Sequence, residues 1–356
     1  MRRGKFSSAM NIWLPVLMTA LLLCTGCGPG RNPKEVLPNE RPGTDTYATV
    51  VEDFDLVMPS GNTLYGVIHR PDPAGYPDSS FAAVVKVPGG INPGRMDALG
   101  PEATMLAEAG MVVVCFNAAG RASEHPEDIE SEGSQDYNGF RDQDNLAEII
   151  RYVIGLDYVI PDNVGIRCQS YGITMAAGCA GRHPELPVKY IVDGEGPSNS
   201  FVTVQEPWAL FSPASHPYHY KYQQVYEILG HYSLHRAPSP QNEAFWEERE
   251  ADKLIGDYRG RYLRLQAEWD HSQPPSSESE ITQFHQPPVW WRAKHTADMV
   301  NAAVDGGVPW VRVNLPEHNN PVNATYDAGN QPEYLPGELA DRPWAVRAVL
   351  EMARME

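Results

Sequence analysis

Apolar residues recur along this chain in two rhythms. Short unbroken runs bounded by Gly and Pro alternate with longer segments whose apolar positions fall three or four residues apart. Phe81–Val87, ended by Pro88-Gly89-Gly90, and Met111–Phe116 are of the first kind. Continuous apolar runs of this length predict strands buried on both faces, as in a parallel sheet. Thr49–Met58 and Leu64–Arg70 flank Pro59-Ser60-Gly61-Asn62, which predicts a hairpin. Asn163–Arg167, Val188–Val192, Tyr262–Ala267 and Trp310–Leu315 predict further strands. Leu99, Met105, Leu106 and Ala109, closed by Gly110, have helical spacing, as do Phe140, Leu146, Ile149, Ile150, Val153 and Ile154. Tyr171–Arg182 predicts a small-residue helix, Trp290–Val304 another, and Pro343–Arg354 a last amphipathic one with Pro at its start. This alternation predicts an α/β fold: a mostly parallel central sheet, helices on both faces and right-handed crossovers. Asn117–Gly139 reads as a polar loop and Glu195–Asp257 as an aromatic, irregular stretch, and no internal repeat is present.

With 356 residues, 42% of them hydrophobic, the chain can bury a large core, which excludes a disordered protein or a disulfide-stapled miniprotein. A formal net charge of −18 repels polyanions, so no nucleic-acid partner is expected. Neither zinc spacing nor a cofactor-binding motif occurs; no metal and no cofactor are expected. The Glu124–Asp136 run reads as a solvated acidic face without the ligand spacing of a calcium loop.

The N-terminus reads as an address. Arg2, Arg3 and Lys5 precede an apolar run from Ile12 to Cys24, too short to span a bilayer. Leu23-Cys24-Thr25-Gly26-Cys27 resembles a bacterial lipobox, with Cys24 at a position where Leu is usual. The resemblance implies a lipoprotein signal peptide over residues 1–26 and a lipid on Cys27, hence a membrane partner and a place in the bacterial envelope. Residues 27–45, with Pro29, Pro33, Pro38 and Pro42, then form a tether, and 46–356 the folded domain. Cys115, Cys168 and Cys179 remain; their odd number and apolar contexts predict buried free thiols.

Val164-Gly165-Ile166-Arg167-Cys168-Gln169-Ser170-Tyr171-Gly172 carries the chemistry. A strand runs directly into a helix with Ser170 at the corner. A serine there is held on a strained turn, its hydroxyl above the sheet, and Gly172 lets the helix approach the strand. This stretch resembles the G-x-S-x-G nucleophile elbow of the α/β-hydrolase superfamily, with Cys168 in place of the first Gly. Gly61–Gly66, Ala109–Val114 and Ser170-Tyr171-Gly172 look like its dienelactone hydrolase and prolyl oligopeptidase-like branches. The resemblance covers Thr46 to the C-terminus, and no propeller repeat precedes it.

The resemblance implies a Ser, then acid, then His order. Asp270, after the strand Tyr262–Ala267, and His318, after Trp310–Leu315, match the acid and base positions. Asp193 is the rival acid, while His271, His285 and His295 are weaker rivals for the base. The backbone N–H of Tyr171 is one expected oxyanion donor. Pro88-Gly89-Gly90-Ile91, similar to an H-G-G loop with Pro88 in place of His, supplies the other from Gly90 or Ile91. Residues 195–257 sit between strands six and seven, where this superfamily carries a lid. Their many rings line a pocket or form that insertion's own core. The resemblance thus implies a serine hydrolase acting on a small-molecule or peptide acyl substrate. A carboxylic ester is the first expectation, an envelope peptidase the alternative, and an inactive surface binding lipoprotein a third reading.

Overall fold

The computed structural model describes residues 42–43, 45–199, 243–266, 289–314 and 343–355, with backbone alone given for 289–293. Cys27, the signal peptide, most of the tether, residues 200–242, Asp270, His271, His285 and His318 lie outside the described residues.

Eight strands form one sheet: β1 (Thr49–Val57), β2 (Thr63–Pro71), β3 (Phe81–Val87), β4 (Met111–Phe116), β5 (Val159–Gln169), β6 (Val188–Gly194), β7 (Arg261–Leu265) and β8 (Trp310–Val313). Their spatial order is β1-β2-β4-β3-β5-β6-β7-β8. β1 and β2 form an antiparallel hairpin, β2 runs antiparallel to β4, and all remaining neighbours are parallel. Gly61 makes the hairpin turn possible, at φ 87°. The carboxyl ends of β3 and β5, adjacent in the sheet, mark the point where the chain switches direction of sheet growth; open α/β sheets bind ligands at that place.

Seven helices are described: α1 (Pro101–Glu108), α2 (Phe140–Ile154), α3 (Gly172–Arg182), α4 (Glu243–Glu247), α5 (Ala251–Leu254), α6 (Val289–Asp305) and α7 (Trp344–Arg354). Strand side chains alternate between the two faces, and so divide the core. Val85, Val87, Ile166 and Cys168 pack with α2 and α3 residues. Val84, Val113, Val192 and Leu263 pack with α1 and α7. α4 and α5 fall within the stretch expected to be irregular. Trp246, Ala251 and Ile255 there are buried, and the Leu254 carbonyl lies so close to Gly181 of α3 that no Cβ fits. No helix among the described residues is long and apolar enough to cross a membrane.

Candidate active site

β5 delivers Ser170 to the carboxyl edge of the sheet. The Ser170 N–H donates to the Gly194 carbonyl at 2.7 Å, the last bond between that strand and β6. The backbone then turns left-handed at Ser170, with φ 47°. Its carbonyl accepts from the Ile173 N–H at 3.1 Å, and α3 starts two residues on, at Gly172. A non-glycine residue in this region carries strain of about 1–2 kcal/mol, which surrounding packing must hold. Ser170 is half-buried, whereas Tyr171 behind it is 6% exposed.

Glycines let the β3 loop reach this corner. A Cβ at Gly172 would stand 2.5 Å from the Pro88 carbonyl oxygen and 3.0 Å from that of Val87. A Cβ at Gly89 would stand 3.2 Å from the Gln169 carbonyl oxygen and 3.3 Å from the Ser170 Cβ. Ser170, Tyr171, Gly90 and Ile91 are therefore brought to one corner. Gly90 has φ 61°, and the Gly89 carbonyl accepts from the Asn92 N–H at 3.2 Å, closing a tight turn over Gly90 and Ile91. The β3-loop corner that resembled an H-G-G loop thus abuts the elbow.

Cys168 in place of the first motif Gly is accommodated. Its side chain is fully buried on the α3 face of the sheet, with Sγ 3.7 Å from the Val192 carbonyl oxygen. Burial pushes its thiol well above the usual range, and the Cys115 thiol up to about 12. Cys115, Cys168 and Cys179 are all free and buried, as their apolar contexts predict.

On the opposite face of the same two strands, a cavity of about 260 Å³ adjoins Gly89 and Gln169 and is lined by Lys86, Asp97, Glu102 and Arg167. Arg167 Nη2 donates to Gln169 Oε1 at 2.9 Å, holding the side chain that precedes Ser170. Burial raises the Asp97 carboxyl, opposed by Lys86.

Asp193, the rival acid, is fully buried near the end of β6. It accepts from Arg264 Nη1 at 2.8 Å, from the Tyr262 hydroxyl at 2.7 Å and from the Gly196 N–H at 3.0 Å. Arg264 also donates to the Gly196 carbonyl, Gln266 Oε1 and Thr296 Oγ1. Asp193 is the counter-ion of this buried arginine. His295 lies in α6, where its Nδ1 accepts from the Ser198 N–H at 3.0 Å. Ser198 is nearly inaccessible, so this pair fastens the chain leaving β6 to α6.

Sequence reading missed Asn138. This fully buried residue of the polar loop has φ 65°, and its Nδ2 donates to the Gly90 carbonyl at 3.3 Å and the Tyr171 carbonyl at 3.0 Å. The Asn-Gly pair at the end of the loop, just before a helix, is the only local signal that could have marked it.

No protein-family model and no curated protein sequence matches this chain. Solved structures do resemble it. A puromycin-hydrolyzing peptidase of Mycobacterium tuberculosis is 16% identical, with TM-score 0.51 over 78% of this chain and 38% of its own. DcsB, in complex with its substrate analogue, is 14% identical with TM-score 0.51, over 86% of this chain and 99% of its own. Prolyl oligopeptidase B of Galerina marginata is 12% identical with TM-score 0.50, over 85% of this chain and 37% of its own. The chain spans about a third of the length of the peptidases it resembles. The strand order, the left-handed serine corner between β5 and α3 and these likenesses agree on one architecture: the chain has the α/β-hydrolase fold.

Proposed function

We propose that this protein is a serine hydrolase, exported and lipid-anchored at Cys27, that cleaves carboxylic esters by an acyl-enzyme mechanism. The single observation that supports it most is the Ser170 backbone. A left-handed serine between a parallel strand and a helix, pressed against a glycine turn, is held in a conformation that glycine would adopt with less strain.

A serine hydroxyl is a weak nucleophile at neutral pH and needs a base. In the proposed reaction Ser170 Oγ attacks the acyl carbonyl while His318 takes its proton. Asp270 holds the imidazole in the correct tautomer and stabilises its charged form. The backbone N–H groups of Tyr171 and of Gly90 or Ile91 receive the oxyanion. Collapse of the tetrahedral intermediate expels the alcohol, which takes the proton from His318. Water, deprotonated by the same histidine, then attacks the acyl-serine; the intermediate releases the acid as Ser170 Oγ takes the proton back from His318.

The test is labelling of the full chain with a fluorophosphonate, beside Ser170→Ala. The expected result is covalent labelling of the parent and none of the variant. Equal labelling of both, or ester turnover retained by Ser170→Ala, rejects the assignment. Asp270→Asn should lower kcat by about 10⁴-fold and His318→Ala by about 10⁶-fold. Metabolic incorporation of palmitate that disappears in Cys27→Ser tests the anchor.

A peptidase is the second reading, favoured by two of the similar folds, which belong to peptidases. Turnover of aminoacyl amides exceeding that of matched esters would establish it in place of the ester reading.

A further inference from the structure

We infer that Asn138 is a positioning residue that sets the spacing and tilt of the two backbone segments forming the oxyanion site; the inference rests on the serine hydrolase reading. One side-chain nitrogen joins them. Asn138 Nδ2 donates both to the Gly90 carbonyl in the β3 turn and to the Tyr171 carbonyl at the start of α3. A trans peptide is planar, with its C=O and N–H opposed, so fixing the Gly90 carbonyl on Asn138 fixes the Ile91 N–H in the opposite direction.

The amide orientation follows from chemistry. Arg121 Nη2 reaches Asn138 Oδ1 at 2.8 Å, and a guanidinium can only donate, so the oxygen faces Arg121 and the NH₂ faces the two carbonyls. The rest of Asn138 is held as firmly. Its N–H donates to Asp142 Oδ2 at 2.9 Å, which also accepts from Arg121 Nη2 at 2.8 Å. Its carbonyl accepts from Gln143 Nε2 at 3.1 Å. Arg249, just after α4, donates from Nε to the neighbouring Tyr137 carbonyl at 2.9 Å and from Nη2 to the Asp136 carbonyl. Arg121, Asn138, Asp142 and Arg249 are each at most 4% exposed. A left-handed residue (φ 65°) with every polar group engaged, spanning both oxyanion segments, is more than a loop filler needs to be. Asn is among the few non-glycine residues that adopt this conformation readily, which suits it to the position.

Two substitutions separate positioning from folding. Asn138→Asp keeps the shape and the tolerance for positive φ but removes both donors. Asn138→Gly keeps the backbone freedom and removes the side chain. Each is compared with the parent full chain for ester kcat and KM, for melting temperature and for hydrogen–deuterium exchange of Gly89–Asn92. The expected result is exchange raised about tenfold or more, and kcat lowered about 10–100-fold with KM changed less than about threefold. The parent melting transition should be retained in Asn138→Gly. Unchanged exchange and kcat would overturn the inference. A kcat loss that tracks a collapsed melting transition in both variants would also overturn it, making Asn138 a folding residue. Failure of the hydrolase reading looks different: a parent inert to fluorophosphonate and ester, with exchange still raised in the variants.

Discussion

Asn314, one residue beyond β8, closes a two-bond ring with the backbone of Gln266, one residue beyond β7: Oδ1 accepts the Gln266 N–H at 3.0 Å and Nδ2 donates to its carbonyl at 3.3 Å. The ring joins the two chain segments that lead, four residues on in each case, to Asp270 and His318. Asn314 has φ 50°, so a β-branched or bulky residue would be strained there. Asn314→Ala removes two buried hydrogen bonds and keeps a Cβ in the left-handed region. It should cost about 2–4 kcal/mol of stability by urea unfolding. If the ring positions the proposed acid and base, kcat for ester should also fall at least about tenfold while Ser170 still accepts fluorophosphonate. Unchanged kcat would limit Asn314 to stability.

The Asp193–Arg264 pair tests the choice of acid. Both side chains are fully buried, and removing one partner of such a pair leaves an uncompensated charge, at about 3–5 kcal/mol. Asp193→Asn should therefore lower the unfolding free energy by that amount, while kcat per folded molecule stays within about threefold. A loss of kcat of about 10³-fold or more at unchanged stability would instead make Asp193 the acid that orients the base.

Two positions of the elbow should respond in opposite ways. Cys168 fills space on the α3 face, and Cys168→Gly removes it and frees the chain. Its expected effect is about 1–2 kcal/mol of lost stability with kcat nearly unchanged. Gly172→Ala would set a Cβ 2.5 Å from the Pro88 carbonyl oxygen, and neither backbone can give without moving the β3 turn. Here kcat should fall by about 100-fold or more. Steady-state ester kinetics on both, with matched unfolding curves, would separate the cases.

Much of the scaffold could be read from the sequence because its strands are either continuous apolar runs or end at Gly and Pro. β4 begins and ends where its apolar run does, and β3 ends at Val87, just before Pro88, as expected. β5 starts at Val159, ahead of the expected Asn163, because the exposed Pro161 and Asp162 break the apolar pattern while the strand continues through a register shift beside β3. Helices α4 and α5, of five and four residues, are shorter than the window in which helical periodicity can be recognised. The elbow was legible since strand, serine and helix are contiguous. Asn138 was not, because its meaning lies in two carbonyls 48 and 33 residues away in the chain. Arg264 is in the same position: it looks like an ordinary polar residue in a strand until the sheet registers it beside Asp193, which the sequence offered only as a rival acid.

Acid should loosen the loop behind the site. Burial acts to raise the Asp128 carboxyl, but hydrogen bonds from the Ser123 N–H and Oγ, Asn117 Nδ2 and the Ile129 N–H outweigh it and leave the pKa lowered. The folded value lies below the unfolded one of about 3.9, so the unfolded chain binds more protons between the two. The stabilisation is thus present above about pH 4 and lost as pH falls through the folded value. Asn117 Oδ1 accepts from the Gly94 and Arg95 N–H groups, both at 2.9 Å, which links this carboxylate to the segment after the β3 turn. Unfolding free energy, measured with urea from about pH 6 to 3, should decline at the acid end, and Asp128→Asn should flatten that decline. An unaltered slope would mean other carboxylates carry it.

Strain at Ser170 predicts a trade between stability and activity. With φ 47°, the Cβ of any residue but glycine is crowded by its own backbone, by about 1–2 kcal/mol. Ser170→Ala keeps that Cβ and Ser170→Gly removes it. Both lose the proposed nucleophile, so both should lose ester turnover by about 10⁴-fold or more. Stability should differ between them, with Ser170→Gly unfolding at higher urea by about 1 kcal/mol despite its more flexible unfolded chain. Equal midpoints would mean that the turn costs nothing and that the serine is tolerated there for packing alone. A higher midpoint for glycine shows that the fold holds Ser170 against its own preference, at the corner where its Cβ meets the β3 turn.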